Sequence, residues 1–270
     1  MNDNRTSATT VTSYRPPDPY SKRVGEGEKL ALVIPALHEA RNLYYLLPRV
    51  CSILRESGAA WEMIVVDDHS RDGTEEIVGA MARREPRIRL MVRHGESGLS
   101  GAILHGWRHT DATILGAMDA DGQHPPEILT ELIACALNGC DLAIASRYAK
   151  GGRCGWNPLR RLASMVAITA ARPLQSDRLR ARDPLSGFFL VRRRCVENIS
   201  FQTSGFKLLL EILVRGRISA VGEVPFAFGK RRSGRSKLSM RVAWDYALLL
   251  ARLFRAKYGS IRVAQQAQGD

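Results

Sequence analysis

An α/β fold with a mostly parallel, twisted sheet and helices on both faces is what this sequence predicts, on three observations. Between residues 29 and 121, short aliphatic runs alternate four times with segments of helical spacing. The runs are continuous rather than alternating, as in strands buried on both faces. Three of them stop at polar clusters, Pro35 to Glu39, Asp67–Asp68 and Asp119–Asp121. In open α/β sheets the crevice beyond the carboxyl ends of the strands is where ligands bind. A chain of 270 residues suits one sizeable domain of this kind.

The elements follow in order. Residues 1–28 are polar and rich in Ser, Thr and Pro, and are expected to be a disordered tail. "KLALVIPAL" (29–37) reads as a buried strand, and Leu43, Leu46, Leu47, Val50, Ile53 and Leu54 give the next segment helical spacing up to Gly58. "WEMIVVDD" (61–68) is the second strand, followed by a turn and helix. "IRLMVR" (88–93) is the third, and "GLSGAILHGWRHT" opens a helix through a glycine-rich turn. "ATILGAMDAD" (112–121) is the fourth strand and "DLAIASRY" (141–148) a fifth.

The alternation then weakens. A basic, glycine-rich stretch leads to an apolar helix at about 162–172. "DPLSGFFLVRR" (183–193) reads as turn and strand, "GFKLLLEILVRG" (205–216) as helix and "AVGEVPFAF" (220–228) as strand. "GKRRSGRSKLS" (229–239) reads as a flexible basic loop. Residues 29–239 would form the catalytic domain, 240–259 an amphipathic helix and 260–270 a tail.

The net charge of +13 suggests an anionic partner: nucleic acid, an acidic membrane surface or phosphorylated ligands. Nucleic acid is set aside, because acidic strand ends repel a phosphate backbone unless a metal covers them. Cys51, Cys135, Cys140, Cys154 and Cys195 are odd in number and contain no Cys-x-x-Cys, which reads as reduced thiols in a cytoplasmic protein without a zinc site. "MNDNRTSATT" has no apolar signal core, and no window reaches the length of a membrane span.

Asp119 and Asp121 would share a face if the backbone there were extended, and two such carboxylates call for a cation between them. Mg²⁺ or Mn²⁺ fits, because these ions take oxygen ligands and recruit phosphates, and Gln123 adds a carbonyl. The alternative is a solvated acidic turn that caps the next helix, with Pro125 and Pro126 in its first turn. Asp68 stands where nucleotide-binding sheets hold a ribose or base edge, though "DDHSRDGT" is also rich in turn formers. "PALHEARN" lacks glycine, which argues against a dinucleotide, and there is no P-loop. Arg147, Arg160, Ser164, Lys207, Arg231 and Lys237 complete a set suited to phosphates.

In order along the chain, "VIPALHEARNL", "IVVDDHSRDGT", "MDADGQHPPE", "ASRY", "DPLSGFFLVRR", "GFKLLLEIL" and "EVPFAF…SKLS" resemble the inverting glycosyltransferases of family two. Within that family they resemble the polyprenyl-phosphate sugar transferases of the dolichol-phosphate mannose synthase type. The resemblance covers about residues 30–240. It implies a GT-A fold, a sugar nucleotide donor (GDP-mannose, with UDP-glucose the nearest rival) and a polyprenyl phosphate acceptor. It assigns Pro35, Leu37, Glu39, Val66 and Asp68 to the nucleoside. Asp119, Asp121 and Gln123 would hold Mg²⁺ or Mn²⁺ at the diphosphate, with Ala120 lining the site. Lys207, Arg231 and Lys237 would meet the sugar diphosphate, and Arg147, Arg160 and Ser164 the lipid phosphate. Asp121, Arg147 and Arg231 would matter most for catalysis. A polysaccharide transferase with a soluble acceptor is the other rival.

The chain departs from the family pattern in places. Leu37-His38-Glu39 stands for Tyr-Asn-Glu, and Gly234-Arg235-Ser236-Lys237 for Gly-Glu-Ser-Lys. Many members continue into membrane spans. Here residues 240–259 instead offer an apolar face of Val242, Tyr246, Leu249, Leu250 and Leu253, widened by Trp244 and Phe254. Arg241, Arg252, Arg255 and Lys257 flank it, so peripheral attachment at the cytoplasmic membrane face is expected. The alternative is packing on the catalytic domain or on a membrane-spanning partner subunit.

Overall fold

The computed structural model describes residues 27–95, 97–155, 158–176, 179–201, 207–229 and 240–266. Most of the expected N-terminal tail, the basic loop with Arg231 and Lys237, and residues 267–270 lie outside the described residues. The elements run β1 (Lys29–Ala36), α1 (Ala40–Glu56), β2 (Ala60–Asp67), α2 (Thr74–Arg84), β3 (Ile88–Val92), α3 (Leu99–Arg108), β4 (Ile114–Ala117), α4 (Ile128–Leu137) and β5 (Leu142–Ser146). β6 (Arg153–Cys154), α5 (Pro158–Ala171), β7 (Phe189–Arg192), α6 (Leu208–Arg215), β8 (Val221–Pro225), β9 (Ala227–Phe228) and α7 (Met240–Gln266) follow.

Seven strands form one sheet in the order β3-β2-β1-β4-β7-β5-β8, and only β7 runs antiparallel to its neighbours. The aliphatic runs are continuous because both faces of the sheet are covered. Leu32 and Ile34 of β1 pack with α1, α2 and α4, through Leu43, Leu47, Val78 and Leu132 among others. Val33 points the other way, to Ala102, Ile103 and Trp107 of α3 and Leu209 and Ile212 of α6. β1, β2 and β4 are adjacent and parallel, so their three polar ends open on one edge, as the sequence predicted.

Several boundaries differ from expectation. β4 stops at Ala117, four residues before Asp121, because the chain turns once its ladder to β1 and β7 ends. The run 220–228 is two strands: β8 joins the main sheet, and β9 pairs with the two-residue β6. α5 begins at Pro158, a favourable first helical residue. α7 continues through Gln266, so residues 260–266 are helix rather than tail.

The larger correction concerns the face of α7. Tyr246, Leu249, Leu250 and Phe254 pack around buried Leu253 in a third cluster, with Ile168 and Ala171 of α5 and Leu210 of α6. The Tyr246 hydroxyl donates to the Ala167 carbonyl at 2.7 Å, and Lys257 Nζ donates to the carbonyls of Pro173 and Leu174 at 2.9 and 3.0 Å. Most of the apolar stripe expected to meet lipid is thus taken up by the fold, while Trp244 stays 66% exposed and the Val242 side chain lies outside the described residues. Its period fits both uses, and only the burial of α5 beneath it decides between them.

Glu85 clamps the far end of the domain. It accepts from Arg55 of α1 at 2.7 Å and from Arg87, at the entry to β3, at 2.7 and 2.8 Å. Hydrogen bonds from Arg87 and then Arg55 hold its carboxyl down at about 2. The folded value lies below the unfolded one, so this stabilisation is complete above about 4.5 and disappears as pH falls toward about 2. Thermal melts of the parent and Glu85→Gln should therefore differ at neutral pH and converge across that window. A gap that stays constant with pH would remove the assignment.

Candidate active site

The nucleoside side of the site is built from the ends of β1 and β2. Asp67 is fully buried and staples its own turn: its carboxylate accepts the Ser70 amide at 2.7 Å and the Ser70 hydroxyl at 2.5 Å. Ser70 Oγ accepts the His38 amide at 2.8 Å, and Asp72 accepts the Ala40 amide at 3.0 Å. The loops after β1 and β2 are therefore tied together. His38 has φ of 60°, the left-handed region that Asn and His tolerate best. His38 can therefore hold this turn, as an Asn could.

Asp68 is held in place by Arg93, at the end of β3. Arg93 Nε and Nη2 donate to Asp68 Oδ1 at 2.8 and 2.5 Å, and the Gly98 amide donates to Oδ2 at 2.8 Å. Both side chains are at most 5% exposed. Glu39, the residue before α1, accepts from Asn42 Nδ2 at 2.5 Å. Leu37 is half-buried at the rim. Pro35 is buried, and Val66 is wholly buried against α3. The Val66 side chain supports the floor rather than lining the site, because a central strand of a covered sheet turns its side chains into the core.

The metal-side loop follows β4. Ala120 and Asp121 lie in a turn, so the two aspartates are not presented by one face of a strand. Asp121 Oδ1 accepts the Gln123 amide N–H at 3.0 Å. Gln123 Nε2 donates to the Gly229 carbonyl at 3.2 Å, while the Gly229 amide donates to the Gln123 carbonyl at 2.9 Å. This pins Gly229 beside the aspartates and leaves the Gln123 amide oxygen as the acceptor end of that side chain. Asp119 is a third exposed and lies against Gly187, where a Cβ would come within 2.5 Å of Asp119 Oδ2. A side chain at 187 would therefore displace the Asp119 carboxylate. Ala120 is 4% exposed and packs into the core below, so it too is floor rather than lining.

Among the described residues no three His, Cys, Asp or Glu side chains converge on one point. The donors at hand are two carboxylates and one amide carbonyl. Mg²⁺ and Mn²⁺ are commonly held by one or two carboxylates, with substrate phosphates and water filling the rest, so the residues fit such an ion. Behind them His124 is 3% exposed, within 5.5 Å (ring centroids) of Phe188, Phe226 and Phe228. Its Nδ1 lies 3.9 Å from Asp119 Oδ2.

The cationic side centres on Arg147, just past β5. Its backbone amide and Nε donate to Asp183 Oδ2 at 2.9 and 2.7 Å, and Nη2 donates to Oδ1 at 2.7 Å. Asp183 has no exposed surface and Arg147 little. Lys207, at the start of α6, is half-buried within the electrostatic reach of Arg147, Asp119 and Asp183; desolvation and then Arg147 lower its pKa. Burial lowers the His124 pKa, and His124 also lies within the electrostatic reach of Asp121, Arg147 and Asp183. Asp119, Asp121, Arg147 and Lys207 thus share one electrostatic neighbourhood. The Tyr148 hydroxyl donates to Ser164 Oγ at 2.9 Å, which seats α5 against the residue after Arg147. Arg160 lies one helical turn before Ser164, half-buried on the same face.

Sequence reasoning missed Arg93, Asp183, Gly187 and Gly229. Arg93 had a signal: it closes the strand that alternation places beside the one closed by Asp68. Asp183 and Gly187 stood in the "DPLSG" segment but gave no indication of partners 36 and 68 residues earlier.

The family described as Glycosyl transferase family 2 matches residues 31–238. A Pyrococcus furiosus dolichol-phosphate mannosyltransferase is 39% identical over 84% of this chain, which spans 64% of that protein's length. The Saccharomyces cerevisiae protein of the same name is 37% identical over 85% of this chain and 88% of its own. Among solved structures, glucosyl-3-phosphoglycerate synthase from Mycobacterium tuberculosis, with Mn²⁺ and UDP-glucose bound, superposes with a TM-score of 0.63 at 19% identity. That match covers 86% of this chain and 80% of the synthase, and it supports the GT-A arrangement of the sheet. With a mostly parallel sheet whose acidic strand ends lie near Arg147 and Lys207, and a family match running from β1 to beyond β9, the chain belongs to glycosyl transferase family 2.

Proposed function

We propose that this enzyme transfers mannose from GDP-mannose to a polyprenyl phosphate, with inversion at the sugar. The observation that carries the reading is the identity of 37–39% with two proteins named dolichol-phosphate mannosyltransferase. The site's chemistry supports it. A phosphate monoester acceptor has a second pKa of about 6 and is largely ionised at neutral pH, so it needs no strong general base. Arg160, Ser164 and Arg147 hold and orient the acceptor phosphate, and Asp183 keeps the Arg147 fork fixed while they do so. Lys207 places positive charge between donor and acceptor. Asp68, aimed by Arg93, and Glu39 take the nucleoside. A divalent cation held by Asp119, Asp121 and Gln123 supplies charge neutralisation at the departing diphosphate.

The test is transfer by the purified chain from a panel of labelled sugar nucleotides to polyprenyl phosphate, with label counted in the organic phase. Mannose from GDP-mannose should dominate. Label carried only from UDP-glucose would replace the sugar, and label reaching only soluble saccharides would replace the acceptor.

The acceptor lies in a bilayer, and among the described residues no helix is long and apolar enough to cross one. We place membrane contact on α5 rather than α7. Leu159, Leu162, Met165 and Val166 are 50–76% exposed and recur at helical spacing along its outer side. A cavity of about 520 Å³ beside them is lined by Arg172, Arg180 and Arg182. Each basic residue near an anionic surface contributes about 1 kcal/mol. The double variant Leu162→Glu/Val166→Glu should lose most co-sedimentation with anionic liposomes while melting like the parent, since both side chains already face water. Unchanged sedimentation would place the contact elsewhere.

A further inference from the structure

Two sulfurs meet at the edge of the sheet remote from the active site. Cys135 lies in the last turn of α4 and Cys140 just before β5, and their Sγ atoms are 2.8 Å apart. The Cys140 amide donates to the Cys135 carbonyl at 3.2 Å, so the intervening turn is already closed by the backbone. Both sulfurs sit over Gly222 of β8, where any Cβ would overlap them. A disulfide has an S–S length of about 2.05 Å, so bond formation needs a movement of about 0.8 Å. The two thiols differ in access: Cys135 is fully buried, and Cys140 is partly exposed.

We propose that Cys135 and Cys140 form an oxidant-reactive dithiol, a modification site that hydroperoxides close into an intramolecular disulfide. Cys140 is the attacking group. Its sulfur accepts the hydrogen bond from the Cys135 thiol, and the Arg192 guanidinium donates to the Cys140 carbonyl at 3.3 Å beside it. That hydrogen bond lowers the Cys140 pKa and raises that of Cys135, which favours the thiolate at the accessible position. The Cys140 thiolate attacks one peroxide oxygen, and the other leaves as hydroxide, or as alkoxide from an organic hydroperoxide. The Cys140 sulfenic acid is then attacked by the Cys135 sulfur, which expels its hydroxyl as water. Two electrons pass from the two thiols to one peroxide, and with hydrogen peroxide two waters result. Cys51 and Cys195 are buried in other parts of the core, and Cys154 is in β6.

The experiment exposes the full reduced chain to hydrogen peroxide, denatures it under alkylating quench, and reads free thiols and peptide masses. Free thiols should fall from five to three. Both cysteines lie on one tryptic peptide, 109–147, which should lose about 2 Da without alkylation. Cys135→Ser should abolish that mass loss and leave Cys140 as an alkylatable or sulfenylated thiol. Because the wild-type chain carries the main readout, poor folding of the variant does not blunt the test. The inference is overturned if peptide 109–147 keeps both alkylatable thiols while other cysteines react. It is equally overturned if that peptide gains oxygen mass instead of losing two hydrogens.

Discussion

Asp121→Ala should reduce turnover by about a thousandfold or more while the protein keeps its fold. Asp121 is nine-tenths buried, yet it lies in a turn beyond the end of β4 rather than in the sheet. In the structure its carboxylate accepts the Gln123 amide, so the stability cost is about that of one charge-assisted hydrogen bond, roughly 2 kcal/mol. Its larger role is negative charge beside Asp119, in a site otherwise crowded by Arg147 and Lys207. Removing it would take away one of the two carboxylates proposed to hold the divalent ion. Circular dichroism and a thermal melt check the fold. Mn²⁺ binding, followed by electron paramagnetic resonance, separates loss of the ion from any other cause of low turnover. A variant that binds Mn²⁺ like the parent, or keeps substantial activity, would falsify the metal role.

The fold was legible because burial on both faces of a parallel sheet writes itself into continuous aliphatic runs. β1 and β2 were readable almost to the residue for that reason. The end of β4 was not, since "ATILGAMDAD" stays apolar past Ala117 while the chain is already turning under the site. α7 shows the limit of periodicity more sharply. Its apolar stripe was found, but a stripe carries no label for what covers it. Ile168 and Leu210 cover most of it here, and exposed apolar side chains are found instead on the outer side of α5.

The candidate site was legible where its residues are close in sequence, as in Asp119–Gln123, which share one loop. It was illegible where a charge is fixed from a distance. Arg147 was expected at the lipid phosphate, and nothing in the sequence shows that its backbone amide, Nε and Nη2 donate to Asp183. Asp68 is spoken for in the same way by Arg93 and Gly98. Both side chains are therefore held in fixed directions, and in the proposed role each would offer preorganised charge without losing entropy when substrate arrives.

Asp183→Ala should be among the most destabilising single changes in the chain. The carboxylate has no exposed surface and accepts three hydrogen bonds from one arginine. Its loss leaves the Arg147 guanidinium buried without its counter-charge, which typically costs about 3–5 kcal/mol. In a domain of this size that lowers the melting temperature by roughly 10 °C. Turnover should fall as well, because the freed guanidinium no longer has a fixed direction. Stability and function can be separated with a second variant. Arg147→Met/Asp183→Leu removes both charges and replaces them with apolar volume, a change that is often neutral or stabilising for buried pairs. The double variant should regain most of the lost melting temperature and none of the lost turnover. Recovery of both would make the pair a structural strut with no part in transfer, and an Asp183→Ala melt within about 2 °C of the parent would show that water or Glu223, whose carboxylate accepts the Asp183 amide at 3.2 Å, takes up the charge.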